Sequence, residues 1–267
     1  MGRSLLADRP GTTVTETTAR RASNAAPHAW LERTCIVIPA LDAERSLSGV
    51  IAGLRQATAE LADRIIVVDD GSRDRTARIA EDAGCVVVIR PANGGKGAAL
   101  RSGFEMARAR GMSVALTVDA DGQHPPEEAR SVLFASDAPK ALVLGVRDLV
   151  EARAPRANRF SNGISNYFLS RFAGRRLRDT QCGLRRYPLA ETLALPTRGQ
   201  GYDFEAEVLL RAIWTGIDVV EAPVRVLYPK DRTTHFRIGR DVRRIIRTVL
   251  DACADQRRSA DGRIERA

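Results

Sequence analysis

The chain has 267 residues, 44% of them hydrophobic and 28% charged, with a formal net charge of +9. That composition suffices for the core of one large domain, alone or with appendages, and the charge favours anionic partners: nucleotides, phospholipid headgroups or nucleic acid. Four scattered cysteines (Cys35, Cys85, Cys182 and Cys253) without a Cys-x-x-Cys pair weigh against a zinc site or a disulfide framework and favour reduced cytosolic thiols.

Residues 1 to about 30 are rich in Ser, Thr, Arg and Ala and lack periodicity, which predicts a disordered tail. Its Arg- and Ser-rich start resembles a transit peptide, but Asp8, Glu16 and the missing amphipathic stripe argue against one. There is no signal-peptide block, and no apolar run approaches the ~18 residues of a bilayer span. The expectation is a cytoplasmic protein, soluble or peripheral at the cytoplasmic membrane face.

From Thr34 onward, β-branched runs alternate with helical patterns. TCIVIP, RIIVVDD, CVVVIR, SVALTVD and ALVLGV read as strands, and SLSGVIAGLRQATAEL, DRTARIAEDAG and GKGAALRSGFEMARARG read as helices between them. This alternation predicts right-handed βαβ units and a mostly parallel α/β sheet, of Rossmann type, covered on both faces. In such sheets ligands bind beyond the carboxyl ends of the strands. Polar clusters fall at those ends: PALDAE (39–44), Asp69-Asp70-Gly71-Ser72, Asn93-Gly94-Gly95-Lys96-Gly97 and Asp119-Ala120-Asp121. Four polar strand ends on one rim describe a single site.

Each cluster has a plain reading beside the functional one. Ser72 or Asp74 is suited to cap a helix beginning near Arg75, while a neighbouring carboxylate is suited to a base or ribose hydroxyl. The 93–97 segment lacks Walker spacing, but its glycines permit close backbone approach, and Lys96 opens a helix whose N-terminus attracts anions. In an extended segment Asp119 and Asp121 point to one side, a spacing suited to a hard divalent cation bridging to phosphate oxygens. A capping or turn role for one aspartate is the competing reading, weakened by the three other polar strand ends.

The motifs IVIPALDAE, IIVVDDGSRDRT, NGGKGAAL, VDADGQH, DTQCGLRRYP and GYDFEAEVLLRA, in this order, resemble the family 2 glycosyltransferases of the GT-A fold. The likeness is strongest to the branch that transfers mannose or glucose to dolichyl or polyprenyl phosphate, and it covers about residues 34 to 250. The resemblance implies that Pro39, Asp42, Glu44, Asp70 and Lys96 serve the nucleotide sugar, GDP- or UDP-linked. It also implies that Asp119 and Asp121 hold Mg²⁺ or Mn²⁺ on the diphosphate, with Gln123 completing the coordination. Arg147 and Arg159 match positions that bind the acceptor phosphate. PALDAE departs from the family, which commonly has an aromatic or Asn after the proline.

Asp179, Asp203 and Glu205 are the carboxylates available as general base for a hydroxyl acceptor; at the start of a helix Asp203 and Glu205 also suit its dipole. A lipid phosphate, already an anionic nucleophile, needs arginines instead. The chain thus divides into a tail (1–30), a catalytic domain (31–238) and a basic amphipathic helix with tail (239–267). In that helix Val242, Ile245, Ile246, Val249 and Leu250 form an apolar stripe flanked by Arg240, Arg243, Arg244 and Arg247. Packing on the domain is the default explanation for the stripe, and an anionic membrane surface is the rival. His235 is a further candidate contact for metal or phosphate.

The sequence therefore reads as an inverting, metal-dependent hexosyltransferase acting on a polyprenyl phosphate or other lipid acceptor. The alternatives are the same transfer to a soluble or lipid hydroxyl, and a nucleotide-sugar-binding protein without catalysis. Nucleic acid is disfavoured, since the basic residues are not interleaved with stacking aromatics.

Overall fold

The computed structural model describes residues 28–228 and 238–264. Most of the expected N-terminal tail, residues 1–27, and His235 lie outside the described residues. The five expected strands are β1 (Thr34–Ala40), β2 (Ile65–Asp69), β3 (Val86–Ile89), β4 (Val114–Thr117) and β5 (Leu142–Arg147). Two more, β6 (Arg185–Pro188) and β7 (Val219–Val224), complete a seven-stranded sheet of order β3-β2-β1-β4-β6-β5-β7. β6 runs antiparallel to both neighbours and the other strands are mutually parallel.

The strands are apolar throughout because both sheet faces are covered. Successive side chains alternate between two cores: Val37, Ile66, Val68, Leu142 and Leu144 face one, and Ile36, Ile38, Ile65, Val67 and Val143 face the other. Helices α1 (Leu47–Ala57), α2 (Thr76–Asp82) and α4 (Glu127–Leu133) contribute to the second core. Helices α3 (Lys96–Ala109), α5 (Arg156–Ala173), α6 (Leu189–Ala194), α7 (Asp203–Trp214) and α8 (Ile238–Ile264) contribute to the first. α7 is buried from Asp203 to Ala212 and forms the middle of that layer.

β6 carries Arg185 and Arg186, both fully buried in the sheet. Both are held by carbonyl oxygens, although Arg186 Nε is left without a partner. Arg185 donates to Cys182, Thr180 and Glu205 at 2.7–2.9 Å, and Arg186 donates to Leu133, Ser136 and Ala138, each at 2.7 Å. A guanidinium has five donors in a fixed fork, so each arginine ties several chain segments to one strand.

The apolar stripe of α8 packs as core. Ile245 and Val249 are buried, and the helix lies on α5 and α7. The middle of the stripe thus meets the core, while Val242 and Ile246 are half-buried and Leu250 is 50% exposed.

Glycines in the 94–97 loop do permit close backbone approach, and what approaches is the protein itself. Ala98 N–H donates to Gln200 O at 2.9 Å, and a Cβ on Gly97 would stand 2.3 Å from Phe204 Cβ. Gly97→Ala is expected to cost roughly 1–3 kcal/mol by overpacking, measured as a lower urea midpoint; an unchanged midpoint would contradict this packing account.

Candidate active site

A cavity of about 1000 Å³ opens at the carboxyl ends of β1, β2, β4 and β5 and is closed on its other sides by α5, α7 and α8. Pro39, Asp42, Asp70, Lys96, Asp119, Asp121, Gln123, Arg147 and Glu205 line it. Glu44, Arg159 and Asp203 do not.

A buried ammonium organises its floor. Lys96 Nζ lies 2.7 Å from Asp119 Oδ1 and 3.0 Å from Glu205 Oε2. Burial opposes the charge on Lys96, but Asp119 and Glu205 outweigh it and push its pKa up. Asp119 is held below the usual carboxylate range, since Lys96 outweighs the desolvation. Asp121 has no such cation, and burial together with the neighbouring Asp119 charge pushes its pKa up. Its Oδ1 accepts Gln123 N–H at 3.0 Å and its Oδ2 accepts Gln123 Nε2 at 2.7 Å. The aspartate pair sits on a turn just past β4, so the extended alternation expected there is replaced by a bend at Ala120. Both carboxylates still face one cavity.

The opposite wall carries Arg147, the last residue of β5. Its Nε and Nη2 donate to Asp179 Oδ2 and Oδ1 at 2.6 and 3.0 Å, a fork in which the aspartate is buried and the arginine still reaches the cavity. Burial alone would lower the arginine and raise the aspartate; their attraction dominates, raising Arg147 and lowering Asp179. Beside them, Gln181 Nε2 donates to Ser161 Oγ at 3.3 Å, and Asn158, Ser161, Thr180 and Gln181 line the same wall.

On the β1–β2 side, Asp70 accepts Gly94 and Gly95 N–H at 3.1 and 2.8 Å, shaping the glycine loop. Asp42, at φ 48°, accepts Arg73 N–H at 2.8 Å. Glu44 accepts Arg75 N–H at 3.3 Å outside the cavity. Asp74, one of the two expected caps, accepts Thr76 N–H at 2.9 Å at the start of α2.

Two expected residues are placed elsewhere for clear reasons. Asp203 binds Arg244 Nε, Gly201 N–H and Thr248 Oγ1 at 3.0, 2.9 and 3.0 Å, fastening the start of α7 to α8. Arg159 is exposed, because the positions of α5 that reach the cavity are Asn158 and Ser161. Sequence reasoning missed His124, Asn158 and Tyr202, as well as the contribution of Arg240 and Arg244 from α8. His124 stands next to the aspartate motif, but α8 reaches the cavity only through tertiary packing.

Residues 35–188 match the sequence profile of Glycosyl transferase family 2. The chain belongs to that family. Polyprenol monophosphomannose synthase of Mycolicibacterium smegmatis is 31% identical over 205 residues, covering 72% of this chain and 77% of the relative. Undecaprenyl-phosphate mannosyltransferase of Micrococcus luteus is 30% identical over 204 residues, 72% of this chain and 82% of the relative. Among solved structures, glucosyl-3-phosphoglycerate synthase from Mycobacterium tuberculosis, crystallised with Mn²⁺, UDP and phosphoglyceric acid, superposes with a TM-score of 0.66 at 22% identity. It covers 82% of this chain and 78% of its own. At that identity the likeness speaks for a shared GT-A fold.

The donor set of this family 2 chain fits a hard divalent cation. Two hard carboxylates converge with an amide, and the single ammonium beside them leaves Asp121 uncompensated. Among the described residues no third carboxylate, histidine or cysteine completes a protein cage. A cation here would therefore take further oxygens from a diphosphate.

This imbalance has a stability consequence. Because the folded-state pKa of Asp121 is raised, its penalty is full above that pKa and shrinks as pH falls through it. Asp121→Asn should therefore raise the thermal midpoint of the chelator-treated protein at neutral pH. Wild type should gain about 2.7 kcal/mol when Mn²⁺ stands at ~100 times its Kd, and the variant should gain almost none. A less stable variant, or one that keeps the Mn²⁺ shift, would contradict the assignment.

Proposed function

We propose that the chain transfers a hexose, with inversion, from a nucleotide diphosphate sugar to a polyprenyl phosphate. The observation that carries this reading is the state of the three candidate bases. Asp179 is the counterion of Arg147, Glu205 is the counterion of Lys96, and Asp203 is bound by Arg244, Thr248 and Gly201. A general base must have an open lone pair within reach of the proton it takes. Arg147 holds Asp179 low, the Asp203 oxygens are taken by Arg244, Gly201 and Thr248, and Glu205 keeps only Oε1, buried inside the protein, unpaired. An acceptor phosphate brings its own negative oxygen and needs no base. The relatives that carry polyprenol and undecaprenyl phosphate in their names support the same acceptor class.

In this reading a phosphate oxygen of the acceptor attacks the anomeric carbon while the bond from that carbon to the donor diphosphate breaks. The nucleoside diphosphate leaves with the electron pair. Arg147, fixed in orientation by Asp179, attracts the acceptor phosphate on the wall that also presents Asn158, Ser161 and Gln181. A rigid guanidinium loses little entropy on binding and holds the nucleophile in line. Arg159, exposed one turn from the wall, steers anions toward it from outside. Pro39, Asp42 and Asp70 shape the nucleotide side, with Glu44 bracing the loop beyond it. Lys96 stabilises charge at the floor. Mg²⁺ or Mn²⁺ held by Asp119, Asp121 and Gln123 would neutralise the departing diphosphate; the Mn²⁺ and UDP of the solved structural relative support that choice.

The test is product chemistry. With Mn²⁺, nucleotide sugars and a short-chain polyprenyl phosphate in detergent, ³¹P spectra should show a sugar phosphodiester. Asp121→Ala should reduce turnover by about 10³-fold, equivalent to ~4 kcal/mol of transition-state stabilisation. Arg147→Gln should raise the acceptor KM ~10- to 100-fold, as loss of a charge-assisted contact implies, and leave the donor KM unchanged. A product with sugar bonded to a hydroxyl, or full turnover in chelator, would overturn the proposal.

A further inference from the structure

α5 is amphipathic in the inverse sense. Its buried positions include Ser161, Asn162 and Ser165, while Phe160 and Tyr167 are 69% and 70% exposed. Ordinarily the apolar face of a surface helix turns inward. Here the inward face is polar because Ser161 lines the cavity and Ser165 bonds Thr180 at 2.9 Å in the neighbouring loop. Leu169, nearer the C-terminus, is buried in the core, but Phe160 and Tyr167 are left outside.

The outward face is ordered. Arg156, Phe160, Gly163, Tyr167 and Arg171 are all exposed and recur three, four or five residues apart, so they form one stripe with an arginine at either end. Val150, 71% exposed on the loop before the helix, stands apart from that stripe, between the exposed carboxylates Asp148 and Glu151. Phe160 and Tyr167 are, with Val150, the most exposed large hydrophobics among the described residues. Between 156 and 178 the chain has six arginines and no carboxylate. Among the described residues, Arg156, Arg159, Arg171 and Arg176 have no carboxylate partner. An exposed apolar patch rimmed by one sign of charge marks a docking surface.

We infer that this face of α5 docks on an anionic lipid bilayer, with Phe160 and Tyr167 entering the interface and the arginines resting on headgroups. Charge selects this occupant. A second copy of the chain would bring the same arginines against each other, whereas an anionic surface complements them. Apolar insertion flanked by cations is the pattern of helices that lie in the interface plane. The placement also gives the patch a use. Asn158 and Ser161, on the adjoining turn of α5, line the cavity, so docking through the outward face would lay the helix that forms one cavity wall on the bilayer. The inference reaches beyond the sugar-transfer reading, because adsorption is measured without donor or acceptor.

The full chain should co-sediment with phosphatidylcholine vesicles containing phosphatidylglycerol at low salt, remain in the supernatant with phosphatidylcholine alone, and desorb as salt rises. Phe160→Ser/Tyr167→Ser and Arg156→Gln/Arg171→Gln should each lower the partition coefficient about tenfold or more, at roughly fivefold per surface arginine. Far-ultraviolet dichroism and the thermal midpoint of both variants should match wild type, since all four side chains are exposed. Three results would overturn the inference. They are wild-type protein left in the supernatant with the anionic vesicles, binding that neither double variant weakens, and sedimentation of wild type as a dimer that Phe160→Ser/Tyr167→Ser dissolves. Failure here leaves the detergent assay of sugar transfer untouched, and failure of that assay leaves adsorption to be read on its own.

Discussion

A single buried ammonium holds the floor of the cavity together. Three carboxylates line the cavity beyond β4 and at the head of α7, the half-buried Asp119 and Asp121 and the buried Glu205, and charges withdrawn from water need partners. Lys96 compensates two of them through contacts of 2.7 and 3.0 Å. The local sequence is fitted to that arrangement. A Cβ on Gly183 would stand 2.3 Å from Asp119 Oδ2 and 2.5 Å from Lys96 Nζ, so the loop entering β6 needs glycine for the ion pair to exist. Gly95, at φ 95°, and Gly97 let the start of α3 press against residues 200–204, which carries Lys96 to Glu205. The uncompensated charge is left on Asp121, where a cation is wanted.

The same logic of paired charges separates the two walls. On one side a lysine stands between carboxylates, and on the other Arg147 is clamped by Asp179. The antiparallel β6 makes this possible: entering the sheet between β4 and β5, it delivers residues 179–183 to the carboxyl edge, next to both the aspartate motif and Arg147. Arg185 braces that loop by binding the carbonyls of Thr180 and Cys182. One strand of reversed direction thus links the two halves of the cavity.

Much of this was legible in the sequence. The five β-branched runs became strands because both sheet faces are covered, and the polar clusters after them converge because parallel strands end on one rim. Partnerships were not legible, since pairing is decided by tertiary packing. Nothing near Asp203 in the chain announces Arg244, and nothing near Arg147 announces Asp179. The α8 pattern was ambiguous for the same reason: an amphipathic stripe has one period whether it meets a core or a membrane, and the burial of Ile245 and Val249 beside an exposed Leu250 comes only from tertiary packing. α5 is the reverse case: its serines and asparagine, polar residues that would suit a solvated face, are buried where the cavity wall requires polar groups.

The central claim is that the carboxylates around the cavity act as counterions and leave proton abstraction out of the reaction. Glu205 is the most exacting case, because its Oε1 is buried without a hydrogen-bond partner while its Oε2 binds Lys96. Single-turnover transfer by Glu205→Gln, followed across pH with saturating donor and polyprenyl phosphate, measures its role directly. As a counterion its loss should slow the chemical step by no more than about tenfold, through weaker placement of Lys96, and leave the shape of the pH profile intact. A loss of 10²- to 10⁴-fold, the range of general-base catalysis, together with disappearance of an ionisation from the profile, would contradict the account.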